Sequence, residues 1–276
     1  MRIGFIGLGR MGKNMTLRLL EGGYEVVGYD IDSQRVKEVE KAGAIAAGSI
    51  RELVDTLSTP RVVFIMVQSK HVTNVLSELT PLLSEGDIVI DSGNTYFEDT
   101  LLRAEEVRKQ GVYFIDVGVS GGVEHARSGA TLMVGGEKEI VEQLTPVFEH
   151  LSQENGFAYV GSSGAGHFVK MVHNGIEYGM MQAIGEGLEA IYTYQEQFNI
   201  DISAVLKVYN HGSVVESSLI KWVSEAWQED PGLQAIVGSV PHGDTEEEMQ
   251  KLTTLIRMPA LTLALKERER SRETPS

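Results

Sequence analysis

A doubly wound α/β sheet followed by an all-helical C-terminal region is the architecture this sequence predicts. Three observations carry it. Residues 1–163 alternate short apolar runs with helix-compatible stretches, the pattern of a mostly parallel sheet covered on both faces. The first run leads directly into Gly7-Leu8-Gly9-Arg10-Met11-Gly12, then a helical pattern, a second strand and an acid. Beyond Gly161–Gly166 every periodic segment reads as helix.

Arg2–Ile6 is a short apolar strand, and Leu17, Leu19 and Leu20 mark the helix after the glycines. Tyr24–Tyr29 is the second strand, ending at Asp30. In this context G-x-G-x-x-G is the Rossmann-type dinucleotide fingerprint. The first glycine makes the tight turn. The second lets backbone approach a pyrophosphate at the helix N-terminus, and the third lets helix and strand pack closely. The cofactor residues are therefore Gly7, Leu8, Gly9, Arg10, Met11, Gly12 and Asp30. A carboxylate at Asp30 suits both ribose hydroxyls and repels a 2′-phosphate. Ile31, Asp32 and Ser33 follow, with no arginine until Arg35. The pattern favours NAD, with NADP less favoured.

The alternation continues through helix Ser33–Lys41, strand Ala44–Ala47, helix Ile50–Leu57 and the buried strand Arg61–Val67. Helix His71–Leu83, strand Asp87–Asp91, helix Tyr96–Gln110 and strand Val112–Val117 come next. Ligands of such sheets bind beyond the C-terminal strand ends. Three strand ends carry polar segments: Val67-Gln68-Ser69, Asp91-Ser92-Gly93-Asn94 and Val119-Ser120-Gly121-Gly122. Val67, Gln68 and Ser69 are candidate cofactor contacts, although an ordinary loop fits the first segment equally well. Thr131–Val134, Lys138–Leu151 and Phe157–Val160 form an appended strand–helix–strand.

A domain boundary is expected at 163/164, giving a dinucleotide-binding domain over 1–163 and a helical substrate and dimerisation domain over 164–276. The expected helices are His167–Phe198, Ile202–Tyr209, Val214–Ala226, Glu246–Leu255 and Pro259–Arg272. The tail from Lys266 is too polar to pack alone and is expected to be disordered or docked on a partner. A long first helix in a small helical domain points to a homodimer or homotetramer.

A formal net charge of −15 argues against nucleic acid, whose phosphates need a basic surface. The chain has no cysteine, which excludes disulfides, thiolate catalysis and zinc–thiolate sites. No apolar run approaches the roughly 20 residues of a membrane helix, and strand pattern begins at once, so a cytoplasmic protein is expected.

The stretch with the most chemistry is Gly161–Gly179. On a helix Lys170, His173, Asn174, Glu177 and Tyr178 share one side. On an arbitrary helix such a stripe is a solvated face with one i,i+4 pair. Here Phe168, Val169, Met171, Val172, Ile176, Met180 and Met181 flank it, so a cleft lining is expected. One lysine and one carboxylate suit a reaction that needs a base and an acid tuned by burial.

G-A-G-H-F-V-K-M-V-H-N-G-I-E-Y-G resembles the active-site helix of the 6-phosphogluconate dehydrogenase family. The wider β-hydroxyacid dehydrogenase superfamily shares only its glycines, lysine and asparagine. The segments around Asn94 and Ser120 are similar to the family's I-D-G-G-N and G-V-S-G-G patterns. The resemblance implies NAD-dependent oxidative decarboxylation of a 3-hydroxy sugar acid without a metal. Lys170 is then the base for the C3 hydroxyl, and Glu177 the acid that protonates the enediol. It places Asn94 between nicotinamide and substrate, Ser120, Gly121 and Gly122 at the carboxylate end, and His173, Asn174 and Tyr178 on the substrate.

The resemblance covers about the first 200 residues well and then weakens. NADP-using relatives carry Asn-Arg-Thr where this chain has Ile31-Asp32-Ser33. Glu216 stands where the family places a phosphate-binding arginine, and a G-x-W-T-like segment is missing. The ending Ala264–Arg272 is similar to that of short-form members, and implies Arg268 or Arg272 as phosphate ligands of a neighbouring subunit. Two rival readings are a dehydrogenase of another, non-phosphorylated 3-hydroxy acid and a non-catalytic dinucleotide sensor.

Overall fold

β1 (Arg2–Ile6), α1 (Arg10–Glu21), β2 (Glu25–Tyr29), α2 (Ser33–Glu40) and β3 (Ile45–Ala46) open the chain in the computed structural model, which describes residues 1–274. α3 (Ile50–Thr56), β4 (Val62–Ile65), α4 (Ser69–Leu79), β5 (Ile88–Asp91), α5 (Phe97–Arg108) and β6 (Tyr113–Ser120) follow. The eight-stranded sheet is completed by β7 (Ala130–Gly135) and β8 (Ser152–Gly161), with α6 (Gly122–Ser128) and α7 (Lys138–Leu151) between them and β6. Strand order is β3-β2-β1-β4-β5-β6-β7-β8. All neighbours pair parallel except β6 and β7, which are antiparallel. The chain reverses its direction of sheet growth between β1 and β4, and a ligand crevice forms at that switch point.

Central strands are apolar at successive positions because both faces are covered. Ile3, Phe5 and Phe64 pack on one face with Leu19 and Phe148. Val27, Val63 and Ile65 pack on the other with Leu53 and Leu79. Each such side chain contributes about 1.5–3 kcal/mol when fully buried.

Three local differences from the sequence expectation have physical causes. The sequence expectation assigns no helix to residues 122–128, where α6 forms. Gly121, at φ +113, is the left-handed residue that turns the chain from β6 into this helix. β6 runs on to Ser120, paired with Thr131 of β7. β8 starts at Ser152, where Gln153-Glu154-Asn155 is exposed and polar on the edge strand and shows no alternation to read.

The chain divides into two compact units, Met1–Met171 and Val172 onward. α8 (Ala165–Phe198) is one continuous helix, and its first turns belong to the sheet unit. α9 (Ile202–Tyr209), α10 (Ser218–Glu229), α11 (Asp244–Leu255) and α12 (Pro259–Glu273) complete the helical unit. Asp201 caps α9 by accepting the Ser203 and Ala204 N–H groups. Ser217 caps α10 by accepting the Ile220 N–H, which starts that helix four residues later than expected. Gly175 lets α11 and α12 approach α8 closely: a Cβ there would lie 3.1 Å from Leu252 and 3.3 Å from Leu261. The tail is helical to Glu273 and packs on its own chain, with Leu261 and Ala264 buried. Its polar sequence hid this because the anchor is an ion pair, described below, rather than an apolar stripe. Among the described residues no helix is long and apolar enough to cross a membrane.

Candidate active site

The cofactor cleft lies where β1 and β4 diverge. It has a volume of about 640 Å³ and is lined by Gly7, Gly9, Asp30, Val67 and Gln68 among others. Gly7 sits at φ +94, and a Cβ there would meet Met66 O at 2.4 Å. A Cβ on Gly12 would lie 1.9 Å from Gly7 O, so α1 could not close onto the turn. Arg10, Met11 and Gly12 form the first turn of α1, which holds no acidic residue and no side-chain cap. Its free N–H groups and dipole suit a pyrophosphate. Ser69 opens α4.

Asp30 is buried, and its Oδ2 accepts the Leu8 N–H at 2.6 Å while Oδ1 accepts the Asp32 N–H at 2.8 Å. Arg35 lies 3.5 Å from Asp30 Oδ2 and 3.4 Å from Asp32 Oδ2. Two carboxylates therefore claim the one guanidinium at this end of the cleft. His71, Asn74 and Glu78 of α4 also line the cleft. They were missed, although their i, i+3, i+7 spacing marks a shared helix face.

Asn94 is the one exposed residue of its loop, between buried Gly93 and Thr95. The loop is built on Asp91, which is fully buried. Asp91 accepts the Gly93 N–H at 3.1 Å and the Thr95 hydroxyl at 3.3 Å. Arg103 lies 3.9 Å from Asp91 and donates to Ser69 O and Thr73 Oγ1. One arginine thus ties the start of α4 to the end of β5. Burial pushes the Asp91 carboxyl above its ordinary range, against the opposing pull of His167, the Gly93 N–H and Arg103. Thr100 meets His167 Nδ1 at 2.7 Å, linking α5 to α8.

The base candidate Lys170 sits on the second turn of α8, in the sheet unit. Asp116 of β6, fully buried, accepts the Gly164 N–H at 2.7 Å and the His167 N–H at 2.9 Å. It caps the helix from another element, a role invisible in the local sequence of α8. Gly118 faces Lys170 directly. Period-two alternation puts Ser120 on the same face of β6 as Gly118, so Ser120 and Lys170 share that side of the sheet end. Gly121 and Gly122 follow at positive φ and lead into α6.

In the helical unit Asn174 and Tyr178 are buried, while His173 and Glu177 are about two-fifths exposed. His173 Nδ1 lies 3.3 Å from Asn174 Oδ1 and 3.8 Å from Glu177 Oε2. Arg268 stacks over the Tyr178 ring of its own chain, 4.2 Å from the centroid. Its Nε is buried with no hydrogen-bond partner. Burial pushes the Tyr178 phenol up, so it stays protonated and able to donate at neutral pH. Arg272 is engaged differently: it donates to both Glu246 oxygens at 2.8 and 3.0 Å and to Val240 O at 3.1 Å. The Arg272 guanidinium holds Glu246 below the usual carboxylate range. Glu216 turns back on its own loop and accepts the Gly212 N–H at 2.6 Å.

Comparison with known proteins matches two successive stretches of the chain. Residues 2–161 match the family model described as the NAD binding domain of 6-phosphogluconate dehydrogenase. Residues 166–229 match the 6-phosphogluconate dehydrogenase C-terminal domain. A Bacillus subtilis protein provisionally named as a 6-phosphogluconate dehydrogenase is 40% identical over 274 residues, 98% of this chain and 91% of its own. The NAD(+)-dependent, decarboxylating 6-phosphogluconate dehydrogenase of Haloferax volcanii is 40% identical over 232 residues, 83% of this chain and 76% of that enzyme. The solved 6-phosphogluconate dehydrogenase of Plasmodium falciparum, studied apo, with NADP+ and with 6-phosphogluconate, has a TM-score of 0.89 at 27% identity. That likeness covers 99% of this chain and 62% of the Plasmodium chain. Matched over residues 2–161 and 166–229, and 40% identical over 98% of its length to a relative of that name, the chain belongs to the 6-phosphogluconate dehydrogenase family.

Proposed function

We propose that this chain catalyses NAD-dependent oxidative decarboxylation of 6-phosphogluconate to ribulose 5-phosphate. The observation that carries the proposal is Lys170, held on the sheet unit by Asp116 and Gly118 and followed on one helix face by His173, Asn174 and Glu177. NAD, when bound, supplies the hydride acceptor. Neutral Lys170 takes the C3 hydroxyl proton as hydride leaves C3. Its ammonium form then polarises the 3-keto oxygen, so C1 leaves as carbon dioxide and the electron pair rests in an enediol. Glu177 delivers a proton to the former C2 and gives the ketose. Ser120 with the Gly121 and Gly122 backbone receives the carboxylate end, His173 and Asn174 receive sugar hydroxyls, and Asn94 reaches between nicotinamide and substrate.

Initial rates of NAD reduction with 6-phosphogluconate and gluconate, side by side, test the substrate. A higher kcat/KM for 6-phosphogluconate is expected. Equal or better turnover of gluconate would favour a non-phosphorylated hydroxy acid instead.

The cofactor choice rests on Asp30. Arg35 is shared by Asp30 and Asp32, so little of its charge is left for a 2′-phosphate. The expected outcome is a kcat/KM at least about tenfold higher with NAD than with NADP, which Asp30→Ser narrows. A wild-type preference for NADP would contradict this role of Asp30.

For the phosphate we assign Tyr178 and Arg268, because the Arg268 Nε is a buried donor without a partner. Arg272 serves as the tail's anchor through Glu246. Arg268→Ala is expected to raise KM for 6-phosphogluconate about 10–100-fold, the worth of one charge-assisted hydrogen bond, and to leave KM for gluconate nearly unchanged. Equal effects on both would remove Arg268 from the phosphate site. The same reading makes the enzyme a cytoplasmic homodimer or homotetramer assembled through exposed apolar residues of the helical unit such as Tyr194, Phe198 and Val214. Its mass in solution, by light scattering, tests that assembly.

A further inference from the structure

β6 and the first turns of α8 meet almost backbone to backbone. A Cβ built on Gly118 would lie 2.4 Å from Lys170 Cβ, 3.2 Å from its Cγ and 2.7 Å from Gly166 O. Two further glycines complete the contact. A Cβ on Gly166 would meet Asp116 O and Met133 O, each at 2.5 Å, and one on Gly135 would meet Gly166 N at 2.7 Å. Only hydrogen fits at all three positions. Asp116 then fixes the helix along its axis through the Gly164 and His167 N–H groups. Such a seat leaves the Lys170 stem no alternative position against the sheet, two residues from Ser120 along β6.

We infer that Gly118 is a positioning residue for Lys170: the missing side chain lets the base approach the end of β6, and any larger residue displaces it. Gly118 has an ordinary strand conformation rather than a positive φ, so its requirement is for space and not for backbone freedom. The inference rests on Lys170 being the base. Displacing a reacting group by about 1 Å costs on the order of 100-fold in rate, and an added Cβ forces a shift of that size.

The test is Gly118→Ala beside Lys170→Met, with kcat, KM, the dissociation constant of NAD and the thermal midpoint measured for both. G118A is expected to lower kcat about 100-fold. NAD affinity should stay within about twofold, because the cofactor cleft, lined by residues such as Gly7, Asp30, Val67 and His71, does not include Gly118. A folded, NAD-binding G118A with kcat within about threefold of wild type, while K170M is inactive, would overturn the inference and leave the base assignment standing. Substantial activity in K170M would instead remove the base on which the inference rests. A G118A chain that does not fold or bind NAD would likewise overturn the inference, because Gly118 would then serve the packing of α8 on the sheet and not the placement of the base.

Discussion

Replacing Lys170 by methionine is expected to lower kcat by about 10²–10⁴-fold, the contribution of a positioned general base. Methionine keeps most of the stem volume and removes only the amine, so packing at the Gly118 seat is preserved. NAD binding depends on Gly7, Gly9 and Asp30 in a cleft that Lys170 does not line, and should be unchanged. The loss should therefore fall on kcat and kcat/KM together, the signature of an interaction made in the transition state. Stopped-flow NADH formation with equilibrium NAD titration measures both. A variant retaining more than a few percent of wild-type kcat would show that another group takes the C3 proton.

Glu177→Gln should separate the two halves of the reaction. The substitution is nearly isosteric and keeps a hydrogen-bonding group opposite His173, but it cannot deliver a proton. Oxidation at C3 does not use Glu177, so a first burst of NADH should persist. Steady-state pentulose formation should fall by roughly 10²-fold or more. Rapid-quench analysis of NADH and ketose in one time course provides the measurement. Loss of the burst itself would move Glu177 to the oxidation step, and an unchanged steady state would leave it only as a partner of His173.

Much of the sheet unit was legible because its central strands are buried on both faces and read as unbroken apolar runs, as in Val62–Ile65. The glycine turn was legible because its three positions each meet a separate steric demand, seen at Gly7 and Gly12. The stripe from Lys170 to Tyr178 was legible because helical spacing alone aligns it. What escaped were the partners that reach these residues from distant segments. Asp116 stands in an apolar strand 51 residues before His167, and nothing in the spacing joins them. Gly118 looked like part of a loop pattern, yet it serves a helix that the chain reaches only after β7, α7 and β8. The Arg272–Glu246 pair joins α12 to α11 across 26 residues, and reverses the expectation that the tail has nothing of its own to dock on. Glu216 read as a charge facing the phosphate, while its carboxylate closes a local turn at Gly212.

The glycine fingerprint, the capped Lys170 helix and the acid two turns beyond it belong to one reaction only if each oxidation is followed by loss of C1. 6-Phosphogluconate labelled at C1, turned over with NAD while NADH and trapped carbon dioxide are counted together, measures that link directly. The account predicts one labelled carbon dioxide for every NADH, with ribulose 5-phosphate as the organic product. NADH formed without labelled carbon dioxide, and a 3-keto acid left in solution, would contradict it.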